Sequence, residues 1–246
     1  MGKTDYSCID MSMKDLTVGF LIGLASGFAV IMIYYGNIAA ALAVGFTGGC
    51  ISVKMYRNYI IKKRKQELLL QFKALLESLT SSYSAGRNTL AAFKDSYSDL
   101  KTIYGEDADI IKELKILLDG MNNGMTAEKM LTDFAVRSGL EDISDFADFF
   151  EVCSRRGANI GKVMVNARNI IGTKIDMEQE IDNILAPGKQ EIKILAALPF
   201  LIVPFVNGHS VTPGVNTVVT FTAKSVALVL FIAAIWLGKK ITDIKV

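Results

Sequence analysis

The chain has 246 residues, 51% of them hydrophobic, with a mean hydropathy of +0.34 and a net charge of +2. That length suits one large or two small domains. The near-neutral balance gives no basis for nucleic-acid binding, and Met55–Glu191 carries 19 Lys and Arg against 21 Asp and Glu. The apolar excess is concentrated in the first 53 and last 55 residues.

Met1–Lys14 is polar and mixed in charge. It is not a cleavable signal peptide, because the apolar region after it is too long for the core of one. Leu16–Tyr35 has 20 uncharged residues, enough to span about 30 Å of hydrocarbon. Gly19, Gly23, Ser26 and Gly27 fall mostly on one face. Such a row lets membrane helices approach closely; it also fits the plain abundance of glycine in membrane helices. Tyr34 and Tyr35 suit an interfacial belt, and Gly36-Asn37 is a turn signal. Ile38–Val53 is a second uncharged segment, so 16–53 reads as a membrane hairpin after a cytoplasmic N-terminus at 1–15.

Lys54, Arg57, Lys62, Lys63, Arg64 and Lys65 follow at once. Cations beside a span mark the cytoplasmic side and attract anionic lipid. The sequence from 54 to 191 reads as a cytoplasmic bundle of about six helices. Phe72, Leu75, Leu76, Leu79 and Tyr83 form one helical stripe. Gly86 can end that helix, and Asn88 or Thr89 can cap the next, which carries Leu90, Ala91 and Phe93. Ile110, Ile111, Leu114, Leu117 and Leu118 make a further stripe, with a stop near Gly120. Thr126 is a cap candidate for Ala127–Ala135, and Gly139 is the following stop.

Glu141–Cys153 places Ile143, Phe146, Ala147, Phe150 and Cys153 on one face. Glu141, Asp142, Asp145, Asp148 and Glu151 lie on the other. A solvated face, a docking surface for a basic partner and a divalent-ion site all fit that row. Arg155-Arg156-Gly157 reads as a turn with a partner-facing basic edge, or as an anion site at the next helix start. Asn159 can cap a long helix reaching about Leu185, where Pro187-Gly188 marks a stop.

Ile192–Val206, with Pro199 and Pro204, and Val218–Leu237 are two further apolar segments, so 192–237 reads as a second membrane hairpin. Its connection at 207–217 has no Lys or Arg and is expected outside. Lys224 within the last segment either snorkels or faces other helices. Trp236, Lys239 and Lys240 mark the inner interface before a cytoplasmic tail at 238–246. The expected fold is therefore all-α: an integral membrane protein with four transmembrane helices, two at each end, flanking a cytoplasmic bundle.

The search for chemistry is largely negative. Gly45–Cys50 lacks the lysine of a P-loop and lies in an apolar segment. His209 is the sole histidine, so neither a catalytic triad nor a histidine metal site can form. Cys8, Cys50 and Cys153 match neither zinc-site nor redox-pair spacing and suit small core-filling residues in a reducing compartment. No cofactor or catalytic residue is implied, and the chain is not expected to be an enzyme.

The ordered segments nevertheless carry a resemblance. Gln71–Phe93, GMTAEKMLTDFAVRSGLEDISDF at Gly124–Phe146, EVCSRRGANIGKVM at Glu151–Met164 and ILAALPFLIVPF at Ile194–Phe205 resemble the type II secretion system F domain. One such domain between two apolar pairs is similar to the TadB/TadC platform proteins of tight-adherence (Flp) pilus machines. Gly157-Ala158-Asn159 departs from the two glycines frequent in the family, and Pro187-Gly188-Lys189 from its Ala-Glu-Gly. The resemblance implies an inner-membrane platform coupling a cytoplasmic ATPase to pilin movement. Its implied partners are that ATPase, a second platform subunit or self-oligomer, pilin subunits and the lipid bilayer, with no nucleic acid. Glu141, Asp145, Asp148, Arg155 and Arg156 are the expected partner-binding residues. A small transporter or channel and a membrane-anchored signalling scaffold remain open as alternatives.

Overall fold

The structure is a computed structural model and describes Tyr6 and residues 13–35, 38–156, 160–209 and 217–242, without the side chains of some residues at the helix ends and in the last two helices. The turn expected at Gly36-Asn37, the segment Gly157–Asn159, and the side chains of Pro204, His209, Trp236, Lys239 and Lys240 lie outside the described residues. The described chain is helical, with no strand among the described residues. The helices are α1 (Met13–Tyr35), α2 (Ile38–Ser84), α3 (Thr89–Tyr104), α4 (Asp109–Asn122), α5 (Ala127–Ser138), α6 (Glu141–Arg155), α7 (Ile160–His209) and α8 (Thr217–Thr242). They form two compact units, Met1–Asp10 with Asn58–Met177 and Met11–Arg57 with Glu178–Val246.

In the first unit the apolar stripe of α2 is the floor of the core. Leu68, Phe72, Leu75, Leu76 and Leu79 are all at most 1% exposed. Phe72 meets Phe146 edge-on, with ring centroids 5.4 Å apart, and Phe134 at 6.1 Å. Phe146 in turn contacts Phe150 at 6.0 Å. Aromatic pairs at these distances add about 0.5–1.5 kcal/mol each beyond the area they bury. Phe93 and Leu100 of α3, Ile110 and Leu114 of α4, Leu131 of α5 and Met164 of α7 complete the same cluster.

The ends of these helices follow from local chemistry. Gly86 adopts φ 76°, and the Arg87 N–H reaches back to the Ser82 carbonyl at 3.1 Å, closing α2. Asn88 Oδ1 accepts the Ala91 N–H at 2.9 Å and starts α3. Gly139 ends α5 in the left-handed conformation. The stop expected near Gly120 falls later. Gly120 is helical, and the left-handed residue is Gly124, with φ 83°. Gly120 instead makes room, since a Cβ there would collide with the Met130 thioether.

The second unit contains the apolar helices. Residues 16–34 of α1 and the apolar part of α2 are long and apolar enough to cross a membrane. Here the glycine row has a packing role. A Cβ on Gly23 would lie 2.5 Å from Ser52 Cβ and 2.7 Å from the Gly48 carbonyl oxygen. One on Gly27 would stand 3.0 Å from Gly45 Cα, and one on Gly49 would strike the Phe20 ring at 2.7 Å. Two antiparallel backbones thus touch along a line where no side chain fits. Lys224 on α8 faces α1, with Nζ 3.4 Å from the Tyr34 carbonyl oxygen in its last turn. A cation there complements the negative end of the helix.

The second apolar segment and the basic stretch that follows it lie on one helix, α2, continuous over 47 residues. Lysine and arginine are good helix formers, so charge alone does not end a helix. Nor does Pro187-Gly188 end α7, which continues for 50 residues to His209. A proline removes one backbone donor and obstructs one carbonyl, a cost of about 3 kcal/mol that a helix of many turns can absorb. Replacing Gly23 with leucine is expected to destabilise the detergent-solubilised chain by about 2–3 kcal/mol through forced separation of α1 and α2. Gly86→Ala, strained only by its positive φ with open space around it, should cost about 1 kcal/mol. Thermal melts followed by circular dichroism check this order, and equal shifts would contradict the close-contact account.

Candidate partner-binding face

The α6 helix begins at Leu140, which offers no side-chain cap, so the acidic residues Glu141 and Asp142 in its first turn supply the favourable negative charge. Ile143, Phe146, Ala147 and Phe150 are buried as their spacing requires, and Cys153 is half-buried. The five acidic residues of the opposite face do not behave alike. Asp142 is held by Lys174 of α7, at 2.9 and 3.0 Å from its two oxygens. Glu151 pairs one turn on with Arg155 at 2.6 Å. Glu141, Asp145 and Asp148 are exposed and carry no ion pair among the described residues. Arg156 is exposed at the end of the helix. The expected basic edge is therefore partly neutralised, and Gly157–Asn159, the start of the expected anion site, lies outside the described residues. No group of three metal-ligating side chains converges among the described residues.

Sequence reasoning did not single out Phe149. It is 65% exposed, one turn after Asp145 on the same side of α6, and Ile170 of α7 is 66% exposed beside it. Both line a cleft of about 240 Å³ between α6 and α7, with Asp145 and Val163 among its walls. A bulky aromatic out of phase with the buried stripe was the available signal. The structure thus brings Asp145 together with an apolar cleft, whereas Arg155 lines a separate polar hollow with Thr126, Glu128 and Thr132.

A polar cluster was also missed. Tyr6 is 1% exposed, although it belongs to the polar N-terminal stretch. Its hydroxyl donates to Glu113 Oε1 at 3.0 Å, and its N–H donates to the Arg137 carbonyl at 3.0 Å. The Arg64 guanidinium lies 5.0 Å from its ring centroid. Arg64 is also bidentate on Asp109, at 2.7 Å to each oxygen. Arg137 donates to Glu113 Oε1 at 2.6 Å and to Asp133 at 2.9 Å. A second Arg137–Glu113 approach at 2.6 Å is an ion pair without hydrogen-bond geometry. Burial, and then the Glu113 charge, push the Tyr6 phenol far above its ordinary range, so it stays a donor. For Arg137, burial opposes the charged form, but the bonds to Glu113 and Asp133 outweigh it and raise its pKa.

These contacts also redistribute the basic stretch. Arg64 serves the bundle, and Lys65 Nζ donates to the Gly139 carbonyl at 3.0 Å, at the end of α5. Lys54, Arg57, Lys62 and Lys63 remain exposed.

Thr126 occupies the cap position of α5 but makes no cap bond to the backbone. It bonds to the Glu128 carboxylate instead, which also accepts the Ser154 hydroxyl of α6. Burial works to raise the Glu128 pKa, but the bonds from Ser154, its own backbone N–H and Thr126 lower it below the ordinary 4.5. The resulting stabilisation is full above about pH 4.5 and disappears as the pH falls through the lowered value. Ser154→Ala is therefore expected to cost about 1 kcal/mol at pH 7, with the gap from the native chain narrowing as the pH falls below the ordinary carboxylate value. Denaturant melts across pH 3–7 measure this, and a pH-independent gap would exclude the Glu128 linkage. Compared with protein families, curated proteins and solved structures, the chain finds no match.

Proposed function

We propose that this chain is an inner-membrane platform of a Tad/Flp-type pilus or related secretion machine, passing the motion of a cytoplasmic ATPase to pilin subunits. The observation that carries the proposal is the α6 edge, where Phe149 and Ile170 are exposed beside the unpaired Asp145 and Asp148. An apolar anchor ringed by uncompensated charge is the composition of a docking patch for a basic partner. The resemblance of Gln71–Phe93 and Gly124–Phe146 to the type II secretion F domain makes the ATPase that partner. In this reading Glu141 and Arg156 extend the contact, and Arg155 joins it by exchanging its bond with Glu151.

The same proposal places the apolar segments of α1, α2, α7 and α8 in the bilayer as four spans, with the bundle and both termini cytoplasmic. Two features support it. Tyr6 is seated in the bundle, so the chain leaves that unit and returns to it across two apolar segments, as an even number of crossings requires. Lys54, Arg57, Lys62 and Lys63 are left exposed next to the second apolar segment, where the positive-inside rule and anionic lipid favour them. Movement of the bundle would reach the membrane through the unbroken α2 and α7. The double substitution Asp145→Lys with Asp148→Lys is expected to reduce co-purification with the pilus ATPase at least tenfold while the protein stays in the membrane fraction. Undiminished co-purification would remove this face from the contact.

A further inference from the structure

The cleft between α6 and α7 has the spacing and the edges of a seat for a helix. Val163, Ile170 and Met177 recur every seven residues on α7, so they share one face over about 21 Å. Ile170 and Met177 are exposed, as are Phe149 and Val152 on α6. All five belong to the bundle unit. The cleft holds about 240 Å³, below the roughly 300–1,000 Å³ of small-molecule sites, so it suits inserted side chains. A helix whose apolar residues also repeat every seven residues meets this line in register.

The two rims differ in charge. On the α6 side Glu141, Asp145 and Asp148 are exposed, with no ion pair among the described residues. On α7, Asn166 and Thr173 are exposed on the side of the line turned away from the buried Ile171, and both are neutral. Lys174, beside the line, is matched by Asp142 at 2.9 and 3.0 Å. Arg156 stands seven residues past Phe149, toward the end of the groove. Two copies meeting by this face would set the same carboxylates against each other. We infer that the groove seats an amphipathic helix of a partner protein, with a seven-residue apolar repeat and Lys or Arg along one edge only. This rests on the docking-face reading given above, and it names the element that docks.

The test uses the full chain in phosphatidylcholine nanodiscs, with empty nanodiscs as the blank. The probe is a fluorescent three-heptad alanine-based helix with leucines on its seam and lysines along one edge. It is expected to bind at least tenfold more tightly than the same helix with glutamates on that edge. Lysines added to the second edge should gain less than about threefold, because Asn166 and Thr173 offer no charge. Asp145→Lys with Asp148→Lys should invert the preference. Phe149→Ala with Ile170→Ala should weaken the lysine helix at least tenfold, and both side chains are exposed, so the core does not need them. Equal binding of the lysine and glutamate helices, or binding indifferent to the Phe149 and Ile170 pair, overturns the helix seat. So does displacement of the probe by unlabelled native chain, which makes a second copy the occupant. If the helix seat fails while the acidic reversal still reduces ATPase co-purification, the platform reading stands without it. If the probe binds as expected and co-purification is undiminished, the seat stands and the ATPase contact at this face falls.

Discussion

The Phe72 ring is the contact on which the bundle depends. It joins α2 to α5 through Phe134 and to α6 through Phe146, and it is fully buried. Truncating a buried phenylalanine typically costs about 3–5 kcal/mol, a large share of a domain's net stability. The polar contacts surround this contact and depend on it. Gln71, next in the chain, turns its side chain to accept the Ile110 N–H at 3.1 Å. That bond satisfies an amide in the first turn of α4, which the cap residue Ala108 cannot reach. Packing and capping are thus set by two adjacent residues of one helix.

The two units are held by different physics. In the bundle, apolar side chains leave water and the charges close into pairs. In the apolar unit, glycine rows bring backbones into contact, and the gain is dispersion between closely fitting surfaces. Polar groups left over from these arrangements are what remains for recognition. Asp142 and Glu151 are used internally, whereas Asp145 and Asp148 are not. A row that is uniform in sequence is therefore non-uniform in availability, and the difference is set by Lys174 and Arg155.

Much of the core was legible from periodicity. The stripes through Phe72–Leu79, Ile110–Leu117, Met130–Ala135 and Ile143–Phe150 are buried as their spacing implied, because a 3.6-residue repeat is a local property. The Asn88 cap and the Gly86 stop were legible for the same reason. What escaped depends on distant partners. Tyr6 and Glu113 are 107 residues apart, and nothing near Tyr6 marks it as buried. Gln71 looks like a solvated residue until Ile110 is placed above it. The exposed Phe149 could have been found, since its phase alone opposes burial. The stop expected near Gly120 fell at Gly124 instead, because Gly120 serves the Met130 contact with the next helix, which local sequence does not mark.

That last contact has a chemical consequence. Met130 is 6% exposed, and its sulfur sits against a position where even a methyl group cannot fit. Oxidation to the sulfoxide adds a polar oxygen to that sulfur. With no space on the α4 side and the side chain buried, the oxygen would have to push α4 and α5 apart. The glycine that allows tight packing therefore also makes the bundle's integrity sensitive to oxidants, at a residue that takes part in no reaction.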